Sequence, residues 1–292
     1  MKKLKSAIHG IRYRLSFLYY YLFDSESRKR TKFSEIIYHL FSPTLMTVGK
    51  KNTTLMREDD RFKYYKISGY DDEFIYPRSS PFYSLGMVIS EARPLHWHYY
   101  EIPQTKVEEG DVVVDCGSAE GFFAFKNQYT AKQIYVMEPM PIFLDSLSAL
   151  FGHKSNITIL PLAAGDKCEK AYMNLHSEAS SLDATLIGGS EAKDDNSLEI
   201  DVVTLDSIFY DKGIKIDYLK ADIEGFEENM ILGALKTIRM SKPKIAITTY
   251  HPGQDYKKLI TIIKDVVPEY NYLAKGIDFD SGHPVMLHMW CN

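Results

Sequence analysis

Four side chains at two strand ends carry the most reactive combination in this sequence. The stretch "DYLKADIEGFEENM" (217–230) places Asp222, Glu224 and Glu227 within six residues at the end of an apolar run, and "KIAITTYH" ends at His251. A strand running into a helix needs one polar cap, so three carboxylates ask for a further use. Histidine has the side-chain pKa nearest neutrality, so His251 can take a proton from a substrate hydroxyl while the carboxylates hold its ring and stabilise its cation. Alternatively, Asp222, Glu224, Glu227 and His251 can hold a divalent ion such as Mg, Ca or Mn, and the ion would lower the hydroxyl pKa directly. For Glu227 a plainer use is open, because an acid in a first helical turn stabilises the helix by about 0.3–1 kcal/mol.

A second constellation lies upstream. In "VVVDCGSAEG", Asp115, Gly117, Ser118 and Gly121 sit at the exit of an apolar strand. Glycines there let the backbone turn tightly and approach a ligand, and the free N–H groups of the following helix attract polar groups. Glu138 ends the next strand, 21 residues beyond Gly117, where an acid can accept both hydroxyls of a ribose. The third strand ends in "PLAAGD", in which the small Ala164 leaves room for a planar base and Asp166 can accept from an exocyclic amine. The middle glycine of the dinucleotide fingerprint is missing, which speaks against a nicotinamide or flavin enzyme. No Lys or Arg is placed to meet a pyrophosphate, so the expected ligand is an adenine nucleoside without phosphates.

These residues need a scaffold that brings strand ends together. Short β-branched runs, "DVVVDCG", "QIYVMEP", "NITILPLAA", "IDYLKADIEG" and "PKIAITTYH", alternate with helical segments such as "IFLDSLSALFG" and "GFEENMILGALKTI". That alternation predicts an α/β fold with a mostly parallel, Rossmann-like sheet covered on both faces. In such sheets ligands bind beyond the carboxyl ends of the strands, and Asp222 and His251 would face each other if their strands are neighbours. The final "YNYLAKGI" and "PVMLHMW" read as an antiparallel hairpin. Between "KAYMNLH" and "LEIDVVTL" lies a polar insertion at about 176–198, expected as a lid over the site.

The motifs "EGDVVVDCGSAEGFFAF", "VMEP", "LPLAAGD" and "VTLDSI", and above all "IDYLKADIEGFEENMILGA" followed by "KPKIAITTYH", resemble the FkbM-type family of S-adenosylmethionine-dependent methyltransferases. The resemblance covers about residues 100–290. It implies a class I methyltransferase sheet, S-adenosylmethionine as cofactor and O-methylation of a hydroxyl on a sugar, glycan or glycosylated metabolite. Asp115, Gly117, Ser118, Gly121, Glu138, Ala164, Asp166 and Asp222 would then be cofactor-binding, and Asp222, Glu224 and His251 catalytic. The chain departs from the family pattern at Gly117-Ser118-Ala119, where Gly-Ala-Asn is usual. That departure motivates the alternative of a binding or regulatory module that keeps the fold without the catalysis.

Composition sets the remaining expectations. The 292 residues are 45% hydrophobic and 25% charged, the profile of an ordinary globular protein. Three scattered cysteines, Cys116, Cys168 and Cys291, indicate neither a disulfide framework nor a zinc site, and the cytoplasm is the expected compartment. The division expected is an N-terminal helical and irregular extension over 1–105, shaping the acceptor site or an oligomer contact, and a methyltransferase domain over 106–292. Residues 1–32 hold nine Lys/Arg against two Asp/Glu. Ile8, Ile11, Leu15, Leu18 and Leu22 recur there at helical spacing, so this helix is expected either to pack on the body or a second subunit, or to rest on anionic lipid. In "ARPLHWHYYEIP" the aromatic side chains of His96, Trp97, His98, Tyr99 and Tyr100 are either a packed strand or a stacking platform for a sugar. No segment reads as a nucleic-acid module.

Overall fold

The computed structural model describes residues 2–174, 185–187 and 197–292. The chain opens with three helices, α1 (Lys2–Phe23), α2 (Ser25–Arg30) and α3 (Phe33–Phe41). Asp24 separates the first two, its carboxylate accepting from the N–H groups of Glu26 and Ser27, a side-chain cap of the usual kind. Phe17 anchors α1 to the body by meeting Trp97 edge-on, with Ile36 and Ile277 in the same cluster. Ile11, Leu15, Tyr19 and Leu22, four residues on the other side of α1, are exposed.

Helix α4 (Leu45–Asn52) and the antiparallel strands β1 (Thr53–Glu58), β2 (Phe62–Ile67) and β3 (Glu73–Pro77) follow. "FYSLGMVIS" forms α5 (Phe82–Glu91). Its apolar residues have helical spacing, since Leu85 and Ile89 bury together, and Gly86 admits the Leu45 carbonyl of α4 where a Cβ would stand 2.5 Å from that oxygen.

The β-branched runs build the central sheet with one correction: the third strand stops at Leu160, before Pro161, and Ala163–Ala164 of "PLAAGD" joins a separate smaller sheet. The parallel strands of the central sheet are β4 (Val112–Cys116), β5 (Gln133–Met137) and β6 (Ile157–Leu160), with α6 (Phe122–Asn127) and α7 (Pro141–Phe151) as crossovers. A smaller sheet comes next, from β7 (Ala163–Ala164), β8 (Glu169–Asn174), β9 (Thr185–Ile187) and β10 (Ser197–Val203), in the order β7-β10-β8-β9. Most of the insertion expected as a lid, about 176–198, lies outside the described residues. The chain then returns to the main sheet with β11 (Tyr218–Ala221), the short helices α8 (Glu227–Leu232) and α9 (Leu235–Ser241), β12 (Lys244–Thr248) and α10 (Tyr256–Val266). The terminal hairpin is β13 (Asn271–Lys275) and β14 (Met286–Trp290).

Strand order in the seven-stranded sheet is β13-β14-β12-β11-β4-β5-β6. From β4 the chain moves outward through β5 and β6, then crosses to the other side of β4 at β11. The β4–β11 boundary is therefore the switch in strand order, where an open α/β sheet leaves a crevice at its carboxyl edge.

"GFEENMILGALKTI" is two helices rather than the one its periodicity suggests. Gly233 approaches Gly165 so closely that a Cβ would lie 2.0 Å from the Gly165 carbonyl oxygen. The new start at α9 is capped from afar, with Asp206 accepting from the N–H groups of Lys236 at 3.1 Å and Thr237 at 2.8 Å. Met230 and Ala234 are buried, as the helical spacing requires.

Candidate active site

Register fixes which residues meet. Ala221 pairs with Cys116 on one side and Ile247 on the other, and Cys116 pairs with Met137. The next residue on each strand is then Asp222, Gly117, Thr248 or Glu138, so four strand ends deliver their polar groups at one level. Gly117 has φ 68°, and a Cβ there would stand 1.9 Å from the Asp222 carbonyl oxygen. Glycine is required at this place by the chain's own backbone.

Two clefts open along this edge. The first, about 680 Å³, is lined by Glu138, Met140, Phe143, Leu162 and Ala164 among others. The second, about 860 Å³, is lined by Glu91, His98, Tyr100, Glu120 and Lys126 among others. Gly117, Ala119, Asp222 and Glu224 line both clefts, so the two meet at the Asp222 carboxylate.

In the first cleft Glu138 is fixed by the backbone. Its two oxygens accept from the N–H groups of Ala119 at 2.9 Å and Met140 at 2.8 Å, and each retains a lone pair for a further donor. Burial pushes this carboxyl up to about 7, against the lowering effect of those two hydrogen bonds. No Lys or Arg lines this cleft among the described residues. Ala119, at the departure from the family pattern, has φ 46°. Asn tolerates that left-handed region far better than Ala, and the backbone N–H to Glu138 is present regardless.

The opposing cluster is centred on His251. Glu227 is fully buried and accepts from the Ile223 N–H at 2.9 Å, the Thr248 hydroxyl at 3.2 Å, His251 Nδ1 at 3.1 Å and the Gln254 amide. It is more than a helix-start acid, since it fixes the imidazole ring. The far ring nitrogen, Nε2, faces Asp222 Oδ1 at 3.7 Å and Glu224 Oε2 at 3.3 Å. Burial lowers the His251 pKa, but the Glu227 hydrogen bond and the charges of Asp222, Glu227 and Glu224 outweigh it and raise the pKa to about 9. With nothing bound between the carboxylates, this environment favours the protonated ring at neutral pH, so His251 is poorly suited to take a proton from a hydroxyl unless another cation displaces its own. Glu224 adopts φ 55° and Gly225 φ 98°, a left-handed turn that is strained at Glu224 and turns its carboxylate back toward the ring.

Asp222 is held from two sides. It accepts from the Tyr100 hydroxyl at 2.6 Å and the Thr248 hydroxyl at 3.1 Å. Burial raises its pKa, yet His98, Lys220 and His251 together with the Tyr100 hydrogen bond bring it down to about 2.

Other expected residues stand elsewhere. Asp115 lines neither cleft; it is fully buried behind the glycine turn and pairs with Lys220 Nζ at 3.0 Å. Lys220 in turn donates to the Gly117 carbonyl at 2.6 Å. Ser118 lines the second cleft, not the first, and donates to Asp115 at 2.8 Å. Gly121 lines neither cleft, because it packs under α7, where a Cβ would meet Leu147 at 2.5 Å. Asp166 is exposed outside the first cleft and accepts from Asn229 at 3.1 Å. Trp97 is buried, with its ring stacked on His39 at 3.8 Å and its N–H donated to Glu35, so it has no face left for a sugar. His98, Tyr99 and Tyr100 do line the second cleft.

Sequence reading gave no role to Lys220, Thr248 or Gln254. Lys220 had a signal, since a lysine inside an apolar strand must find a buried partner. The other two are polar residues without a distinguishing pattern.

A family model for the methyltransferase FkbM domain matches residues 115–274. Methyltransferase sdnD of Sordaria araneosa is 24% identical over 246 residues, covering 73% of this chain and 88% of its own length. Among solved structures, methyltransferase FkbM from Methylobacillus flagellatus KT is 20% identical over 87% of this chain with a TM-score of 0.48, and the chain spans 60% of that protein's length. Aeropyrum pernix fibrillarin is 15% identical over 81% of this chain and 98% of its own, with a TM-score of 0.41. The domain match runs from the glycine turn through β11, β12 and the Asp222–His251 cluster into the final hairpin, more than half of the sequence, and the chain belongs to the FkbM methyltransferase family.

Proposed function

We propose that this protein is an S-adenosylmethionine-dependent O-methyltransferase whose acceptor is a hydroxyl of a sugar, glycan or glycosylated metabolite. The observation that carries the reading is the position of Asp222, whose carboxylate is common to both clefts. The first cleft suits the nucleoside of the cofactor. Glu138 has an oxygen lone pair available for each of two ribose hydroxyls, the walls at Phe143, Leu162 and Ala164 are apolar, and the absence of Lys or Arg among the described lining residues fits a ligand without phosphates. Relatives by structure, such as the Aeropyrum pernix fibrillarin solved with natively bound S-adenosylmethionine, are in keeping with this.

When bound, the cofactor supplies an activated methyl group on a sulfonium. The chain's own part is alignment and charge. Asp222 and Glu224 place negative charge between the clefts, which favours a cationic sulfonium and accepts hydrogen bonds from an incoming hydroxyl. Glu227, His251 and Thr248 keep those carboxylates in place, and the second cleft holds the rest of the acceptor. Positioning two reactants in line accounts for most of the acceleration such a displacement needs. Incubation with methyl-labelled cofactor and a panel of free sugars and glycosides tests the acceptor class. A labelled methyl ether is expected; label recovered on nitrogen or carbon would overturn the hydroxyl reading.

The exposed side of α1 and α3 supports a membrane-surface partner. Ile11, Leu15, Tyr19 and Leu22 on α1 and Phe33, Ile37 and Phe41 on α3 are exposed, within a segment carrying nine Lys/Arg in its first 32 residues. A basic helix with an apolar face rests on anionic lipid. None of the described helices is long and apolar enough to cross a membrane.

A further inference from the structure

We propose that Asp222, Glu224 and His251 form a binding site for one divalent cation, with Glu227 as the outer carboxylate that orients the histidine. One ligand atom from each of the three residues lies within 4.8 Å of the other two. Around an ion with ligands at about 2.1 Å, neighbouring donors stand about 3.0 Å apart and opposite donors about 4.2 Å. The separations from His251 Nε2, 3.3 Å to Glu224 and 3.7 Å to Asp222, fall between those values.

A second observation is independent of the acid cluster. His251 is 7% exposed, and its Nε2 is a buried polar atom with no hydrogen-bond partner. The other nitrogen, Nδ1, is engaged by Glu227 at 3.1 Å. Such an arrangement fixes the ring with one nitrogen committed to a carboxylate and the other aimed at the remaining two. The Asp222 carboxylate accepts its hydrogen bonds from Tyr100 and Thr248 instead, at 2.6 and 3.1 Å.

Glu227 completes the pattern. Four donors converge on it, one being the imidazole, and metal-binding histidines characteristically donate their other N–H to just such a carboxylate. Two carboxylates and one imidazole form a mixed oxygen–nitrogen set, which suits Mn²⁺, with Mg²⁺ as the commoner oxygen-loving alternative. Because Asp222 and Glu224 line both clefts, the remaining coordination positions open toward an acceptor oxygen. The site stands on side-chain geometry alone and does not require the methyl-transfer reading, so either can fail by itself.

The test uses the full-length chain, stripped with a chelator, dialysed and titrated with Mn²⁺ while free Mn²⁺ is followed by electron paramagnetic resonance. One saturable site per chain is expected, weakened at least tenfold by Glu224→Gln and by His251→Gln. Glu227→Gln is expected to weaken it by 10–100-fold, the usual effect of losing an outer-shell carboxylate. Glu228→Gln, next to the cluster and outside it, should leave the affinity unchanged. A nitrogen coupling in the electron spin-echo spectrum of the wild-type Mn²⁺ complex is expected, and this readout needs no variant to fold. Absence of saturable binding, or a bound ion without nitrogen coupling, overturns the proposal. Calorimetry with S-adenosylhomocysteine on the chelated sample reports separately on the cofactor cleft.

Discussion

Lys220 Nζ lies 3.0 Å from Asp115 Oδ1, and both side chains are buried, at 4% and 0% exposed. The lysine reaches past the acid to the Gly117 carbonyl at 2.6 Å, so the pair props the glycine turn from behind. Removing one member leaves the other as an uncompensated buried charge. Lys220→Met is therefore expected to cost about 3–5 kcal/mol in chemical denaturation. A double Lys220→Met, Asp115→Leu change should recover a large part of that loss. A single variant as stable as the wild type would show that the pair does not support the turn.

Glu138 gives cofactor binding a pH dependence. Its carboxyl is raised to about 7 by burial, and only the ionised form can accept both ribose hydroxyls. Affinity for S-adenosylhomocysteine is expected to rise with pH through about 7 and level off above it. Glu138→Gln should flatten that profile and weaken binding by roughly 10–100-fold, the worth of hydrogen bonds to a charged acceptor. Calorimetry at several pH values measures both effects, and an unchanged profile in the variant would count against a Glu138 contact.

His39 is buried and stacked on Trp97 at 3.8 Å, where burial first, then Lys275 and Arg93, lowers its pKa from 6.5 to about 3. Because the folded pKa lies below the unfolded one, the unfolded chain takes up the proton first as the pH falls. Its contribution is intact above 6.5 and is lost progressively from there toward 3. At about pH 5 the loss from this residue is about 2 kcal/mol. Between neutral pH and about pH 5, His39→Phe should lose less stability than the wild type by that amount. Equal losses in the two proteins would mean that His39 does not stay neutral in the fold.

Leu15→Glu and Phe41→Glu place charge on exposed residues of α1 and α3. Neither is expected to change stability by more than about 0.5 kcal/mol, as usual for surface substitutions. Both should reduce flotation of the protein with vesicles containing anionic lipid. Flotation that is absent in the wild type, or unaffected by either substitution, would remove the lipid surface as a partner.

The sheet was legible because its signal is local: five apolar runs separated by helical segments predict parallel strands, although the end of the third, at Ala163–Ala164, went to the smaller sheet. The pairing of Asp222 with His251 was legible for the same reason. What could not be read depends on packing across the chain. Trp97 and Tyr100 are three residues apart in one aromatic stretch, yet one is sealed under α1 and the other bonds Asp222. Asp115 and Glu138 each stand at or near a strand end, but register and the lysine on β11 turn the first inward and leave the second in the cleft. Gly233 broke an apparently continuous helix because Gly165, far away in sequence, occupies the space a side chain would need.

Binding of S-adenosylmethionine at the Glu138 cleft tests the central claim most directly. Calorimetric titration of the full-length chain should show one saturable site, retained in Lys126→Ala, whose side chain lines only the second cleft. Affinity should drop by at least tenfold in Glu138→Gln. No detectable heat from a folded wild-type sample, with either S-adenosylmethionine or S-adenosylhomocysteine, would contradict the account.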